Sequence, residues 1–259
     1  MPIFIPRSPW QPGFPVVVVH AELRARNIHP DYAAAKSGDA DAADRMVRGL
    51  ISADGMDRLA TLLSGRNPLI LGVTADEVGG FNAIPDAMAE VVAERLSAAV
   101  VPGSVVQANK VGHTKADGWH RLVTPAVFVG DVVAGADYVL VDDHVGFGGT
   151  LANLRGFIEY HGGHVICMTT LTETRDARHI AAYPETLGML NAKHGHEFDD
   201  FWRGEFGHGT ECLTNIEAGY LCRAESVAAI KDRMAQAAEL ARGRGLSPVR
   251  IGEGGAVDR

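Results

Sequence analysis

The segment Tyr138 to Leu154, YVLVDDHVGFGGTLANL, restricts the fold of this chain more than any other. Val139, Leu140 and Val141 are apolar in succession, which suits a strand covered on both faces. Two acids, Asp142 and Asp143, close the run. Gly146, Gly148 and Gly149 follow within four residues, and the spacing then predicts a helix over 150–161 with Leu151, Leu154 and Ile158 on its buried side and Gly162 and Gly163 at its end. A buried strand, a glycine loop and a helix in that order belong to a parallel α/β sheet. In such sheets ligands bind at the carboxyl ends of the strands, where the acid pair lies. Side chains alternate along a strand, so the two acids are expected on opposite sides unless the chain turns between them.

Other short apolar runs extend the pattern. Strands are expected at Val16 to Val19, Pro68 to Val73, Val100 to Gln107, Ala126 to Val129 and His164 to Thr172. Helices are expected from about Asp39 to Leu63, from Asp86 to Ala98 and from Ser226 to Arg242. The fold class is α/β, a doubly wound, mostly parallel sheet with N- and C-terminal helical additions. The expected divisions are an N-terminal extension over 1–66, an α/β core over 67–182 and an aromatic, helical extension over 183–259. That last stretch, glycine-punctuated between Tyr183 and Tyr220, is expected to cap the site or form a subunit contact, with Phe198, Phe201, Trp202 and Phe206 as packing residues.

Composition excludes some classes. A formal charge of −8 and a pI near 5.7 disfavour a nucleic-acid footprint, which draws its affinity from Lys and Arg displacing counterions. No window approaches the run of about 18 apolar residues that a membrane helix requires. The N-terminus shows no pattern of an export signal, and three widely spaced cysteines, Cys167, Cys212 and Cys222, match neither a disulfide framework nor a CxxC knuckle. A cytoplasmic location is the expectation. His194 and His196, near Glu197, Asp199 and Asp200, lack a strong metal-ligand spacing and read as a surface cluster.

The glycine loop and helix start can hold an anion through backbone N–H groups and the positive end of the helix dipole. Carboxylates beside a phosphate would repel it, so they should face hydroxyls or a metal. A phosphorylated sugar satisfies both demands. The loop is not a P-loop, which needs GK[ST]. Nor is it a GxGxxG fingerprint, since Leu151 stands at the last glycine's place.

VLVDDHVGFGGTL resembles the phosphoribosyl diphosphate (PRPP) signature of the type I phosphoribosyltransferases, in which two acids follow a hydrophobic strand and a Thr-Gly-x-Thr loop leads into a helix. The resemblance covers about residues 68 to 172. It implies that Asp142 and Asp143 hold the ribose hydroxyls and meet Mg²⁺ indirectly, through ribose or water. It implies that His144, Val145, Gly146, Phe147, Gly148, Gly149 and Thr150 bind the 5′-phosphate, and that a loop including Thr74, Ala75, Asp76 and Glu77 contacts pyrophosphate. Lys110, and more loosely Lys115, His113 and His120, match a mobile, basic lid. Phe147 departs from the pattern, standing where the family usually has Thr. The implied activity is transfer of a 5-phosphoribosyl group from PRPP to a nitrogenous base with release of pyrophosphate. Mg²⁺ is the implied cofactor and a homodimer the implied assembly. The alternative is a non-catalytic PRPP- or nucleotide-binding regulatory module on the same fold.

Overall fold

The computed structural model of the chain describes residues 3–77, 80–101, 104–112 and 116–246, with the side chains of 76, 77 and 80 outside that description. The strands among them are β1 (Val18–Val19), β2 (Leu69–Gly72), β3 (Thr74–Glu77), β4 (Gly80–Phe81), β5 (Ala99–Val100), β6 (Val105–Gln107), β7 (Phe128–Gly130), β8 (Asp137–Val145) and β9 (His164–Glu173). The helices are α1 (Leu23–Asn27), α2 (Tyr32–Lys36), α3 (Ala40–Leu50), α4 (Ala53–Leu63), α5 (Ile84–Leu96), α6 (Gly118–Val123), α7 (Gly149–Tyr160), α8 (Pro184–Phe206), α9 (Asn215–Cys222) and α10 (Val227–Gly243).

The central sheet has the order β1-β9-β8-β2-β5, and every neighbouring pair in it is parallel. Its inner strands are dry on both sides. Val139 and Val141 of β8 pack with Met88, Val91 and Val92 of α5 and Met46 of α3, while Tyr138 and Leu140 pack with Leu151, Leu154 and Ile158 of α7. Helices therefore cover both faces, the doubly wound α/β architecture that the apolar runs imply. Each such fully buried aliphatic side chain contributes about 1.5–3 kcal/mol by leaving water. From β2 the chain passes through α5 to β5 on one side, then returns past β2 to β8 and through α7 to β9 on the other. The direction of winding thus reverses between β2 and β8, at the place where open sheets of this kind leave a crevice.

Two expected elements are corrected. The helix anticipated from Asp39 to Leu63 is two helices, because Ser52 accepts a hydrogen bond from the Gly55 amide (3.1 Å) and starts α4 afresh, as Asp39 does for α3 through Ala42 (2.9 Å). The strand anticipated from Val100 to Gln107 is split between sheets: β5 lies on β2, whereas β6 joins a second sheet of order β4-β3-β6-β7. The intervening Pro102 has no amide to donate to a continuous ladder. The glycine-punctuated tail is largely the 23-residue helix α8, interrupted only at Gly195 (φ 62°, ψ −163°). Its Phe198, Trp202 and Phe206 form a third core with α9 and α10, the packing role expected of them. His194 belongs to that core and is buried against Phe198, not part of a surface cluster.

The N-terminal segment and the stretch leading into α9 converge on α7. Arg155 of α7, 1% exposed, donates to the carbonyls of Ser8 (3.0 Å) and Pro9 (2.8 Å) and lies under the rings of Trp10 and Phe14. The Trp10 indole in turn donates to the Leu213 carbonyl (2.8 Å), tying this N-terminal strap to the segment leading into α9.

Candidate functional site

Strand β8 stays extended through the acid pair, pairing Asp142 with Thr170 and His144 with Thr172 of β9. The alternation of side chains therefore persists, and the two acids part company. Asp143 turns to the face of the N-terminal helices, where its carboxylate lies 3.1 Å from the Lys36 ammonium and 3.9 Å from the Arg26 guanidinium. Asp142 turns to the α7 face, with one oxygen accepting from the Asp143 amide (2.8 Å). Burial and the adjacent Asp143 charge raise the Asp142 carboxyl well above the ordinary carboxylate range. Burial would raise Asp143 too, but Lys36 and Arg26 outweigh it and hold that group low. One proton can thus reside on Asp142 while Asp143 stays ionised.

On the α7 face lies a cavity of about 70 Å³. Asp142, His144, Val145, Gly146, Phe147, Gly148, Gly149 and Thr150 all line it, together with Arg7, Arg121, Asn153 and Glu217. His144 bridges the hydroxyls of Thr172 (2.9 Å) and Thr174 (3.1 Å); burial, reinforced by Arg26, lowers its pKa to about 4, so the imidazole is neutral at pH 7. Arg7 comes from the strap and Glu217 from α9, and they form an ion pair over the start of α7, with Nη1 to Oε2 at 2.6 Å and Nη2 to Oε1 at 2.9 Å.

The loop is locked in shape. Gly148 caps α7 at φ 78°, a left-handed conformation that costs other residues about 1–2 kcal/mol. A Cβ there would also come within 3.1 Å of Ile180 and Thr214, and one on Gly149 within 2.9 Å of Glu217 Oε1. The Thr214 hydroxyl donates to the Phe147 carbonyl (2.6 Å), and the Phe147 ring meets Tyr220 edge-on at 5.3 Å. Gly148→Ala is accordingly expected to lower the unfolding free energy by about 1–3 kcal/mol, read by urea denaturation. No loss would mean that the loop relaxes freely.

Of the other expected site residues, those described do not line this cavity. Thr74 to Glu77, read as a loop, is strand β3, because the chain stays extended past Val73 and finds β6 as a parallel partner. Thr74 itself donates to Asp86 (2.8 Å). Lys110 is exposed just beyond β6. His120 is buried, 2.8 Å from the Val111 carbonyl. His113 and Lys115 lie outside the described residues, as do the side chains of Asp76 and Glu77. Arg7, Arg121, Asn153 and Glu217 were not anticipated. Thr214-x-x-Glu217 is a capping box legible in sequence, and both of its hydrogen bonds are present, but nothing local announces that Glu217 also reaches Arg7, 210 residues away.

No family model matches the chain. It is 44% identical over 231 residues to Protein TraN of Escherichia coli, an alignment spanning 89% of this chain and 51% of that protein. It is 38% identical over 152 residues to an uncharacterized protein of Haemophilus influenzae, spanning 59% of this chain and 34% of that protein. The chain thus spans about half the length of the first of these curated relatives and about a third of the second. Similar solved structures include adenine phosphoribosyltransferase from Thermoanaerobacter pseudethanolicus (TM-score 0.32, 24% identity, 50% of this chain and 73% of that chain). Another is Leishmania donovani UMP synthase (TM-score 0.29, 12% identity, 74% of this chain and 35% of that chain). Among the described residues, no helix is long and apolar enough to cross a membrane.

Proposed function

We propose that the chain binds PRPP across the carboxyl ends of β2 and β8 and transfers its 5-phosphoribosyl group to a nitrogenous base, releasing pyrophosphate. The supporting observation is that Asp142, the glycine loop and two arginines line one cavity. At about 70 Å³ it has room for a few waters or a single phosphate group, so it takes the 5′-phosphate end only. The ribose lies outward, against Asp142, and the diphosphate over the β2 edge of the crevice. Asp143 then acts at one remove: paired with Lys36 and Arg26, it anchors the strand end that presents Asp142.

Cleavage of the C1–O bond builds positive character on the ribose and negative charge on the departing pyrophosphate. Water must be kept from the sugar while this happens. Among the described residues no group of three or more His, Cys, Asp or Glu is arranged to hold a metal ion. Mg²⁺ would be carried in on the substrate's phosphates, with Asp142 lining the same cavity. Bound so, it would offset the charge of the leaving group.

A second reading, a regulatory module that binds PRPP without turning it over, is favoured by Phe147. Its ring is committed to Tyr220, and it offers the ligand no hydroxyl. One experiment separates the two. The thermal midpoint with and without PRPP, and steady-state pyrophosphate release with a panel of purine and pyrimidine bases, are measured on the same sample. Transfer predicts ligand-dependent stabilisation together with release that depends on one base. The binding module predicts stabilisation alone. A midpoint unmoved by millimolar PRPP, with no release, would discard both.

A further inference from the structure

We infer that Arg7 of the N-terminal strap and Asn153 of α7 form the wall of the cavity that receives the oxygens of a phosphate monoester. The strap thereby supplies the polar contact that Phe147 cannot. This deepens the proposed function and rests on its reading of the glycine loop as a phosphate cradle.

Three observations converge on it. Asn153 is 3% exposed and lines the cavity, yet its side-chain nitrogen has no hydrogen-bond partner among the described residues. Buried amide donors are almost always paired, so this unpartnered nitrogen, on a residue that lines a polar cavity, is where an acceptor is missing. Arg7 is held rigidly beside it. Its Nε donates to the Asn153 oxygen (2.6 Å), its two Nη atoms to Glu217 (2.6 and 2.9 Å), and Nη1 also approaches the Cys212 carbonyl (3.5 Å). Of the five guanidinium hydrogens these contacts use four, leaving one on Nη2 without an acceptor among the described residues. Finally, Asn153 sits one turn into α7, and helical side chains lean back towards the N-terminus, the end that carries the unpaired backbone N–H groups.

The chemistry selects for phosphate. Glu217 also lines the cavity, but the Arg7 charge cancels it, and Arg121 adds a further cation whose guanidinium lies 5.8 Å from the Phe147 ring centroid. Side-chain donors together with helix amides suit an anion with several acceptor oxygens, which a ribose diol does not provide. Asp142, on the same cavity, is left for the hydroxyls.

The test uses the full chain and two probes, inorganic phosphate and ribose 5-phosphate, titrated by calorimetry into the unaltered protein, Asn153→Asp and Arg7→Lys. Aspartate at 153 has the same shape and still offers an oxygen to Arg7 Nε, but it replaces the open donors with an anionic oxygen. The expected result is binding of both probes by the unaltered protein, weakened about tenfold or more in Asn153→Asp with no fall in thermal midpoint. Arg7→Lys, which keeps the charge facing Glu217 but loses the fork, should weaken both probes several-fold, and it decides the matter if Asn153→Asp does not fold. Equal affinities in all three proteins would overturn the Arg7–Asn153 assignment and leave the phosphoribosyl reading standing. Binding of inorganic phosphate that responds to both variants, with no gain from the ribose ester, would uphold the assignment and discard that reading. Binding of neither probe would overturn both.

Discussion

Asp143→Ala is expected to lower the unfolding free energy by about 3 kcal/mol at pH 7, whereas Asp142→Asn, one residue away, should raise it. Breaking a buried ion pair by removing one partner costs about 3–5 kcal/mol, and the lower end applies because the Lys36 side chain is a quarter exposed. The pH dependences have opposite signs. Asp143 titrates below the ordinary carboxylate range in the fold, so its contribution is complete above that range and is lost only as the pH falls through its low folded value. Asp142 titrates above the range. The fold therefore keeps it protonated without penalty in acid, and stability is lost as the pH rises from the ordinary range towards its raised folded value. Asparagine removes that loss while keeping an oxygen for the Asp143 amide. Urea unfolding at pH 4 and pH 7.5 checks both. Asp142→Asn should match the unaltered protein in acid and exceed it at neutral pH. Equal stability of Asp142→Asn and the unaltered protein at both pH values would refute the division of one proton between the two groups.

The same strand shows what could be read before any coordinates. Three consecutive apolar residues, two acids and a glycine loop specify β8, the turn and α7, because local spacing and backbone preference decide them. Alternation alone even separates Asp142 from Asp143. What it leaves open is which acid meets the cavity, since that depends on which face receives α1 and α2, and the cations responsible, Arg26 and Lys36, lie more than a hundred residues upstream. The second sheet was hidden for a similar reason. The resemblance makes Thr74 to Glu77 a loop, and only its partner strands, β6 and β4, make it extended. The helical breaks at Ser52 and Gly195 lie in stretches where periodicity continues on either side, so the cap or the backbone angle, not the hydrophobic pattern, decides them.

Arg7 was invisible for the strongest version of this reason. A lone arginine between Pro6 and Ser8 carries no periodic signal, yet its partner Glu217 is 2% exposed and its own side chain 8%. Burial would raise the Glu217 carboxyl, and the Arg7 guanidinium and the Thr214 amide more than reverse that, holding it below the ordinary carboxylate range. Glu217→Ala is expected to destabilise the protein by about 3–5 kcal/mol, because it leaves the buried Arg7 charge without its counter-ion and also breaks the α9 capping box. A double substitution, Arg7→Met with Glu217→Leu, should recover much of this loss, since well-packed apolar replacements of a buried pair are often neutral or better. The recovery isolates the coupling from the two single losses, provided each is measured by equilibrium unfolding under the same conditions. A single loss below about 1 kcal/mol would mean that the strap is not anchored by this pair. Such an anchor explains why an ion pair stands where apolar residues would be at least as stable. With Glu217 and the Asn153 oxygen fixing its position, Arg7 keeps a hydrogen for the cavity, so the N-terminal strap and α9 are both committed to its wall.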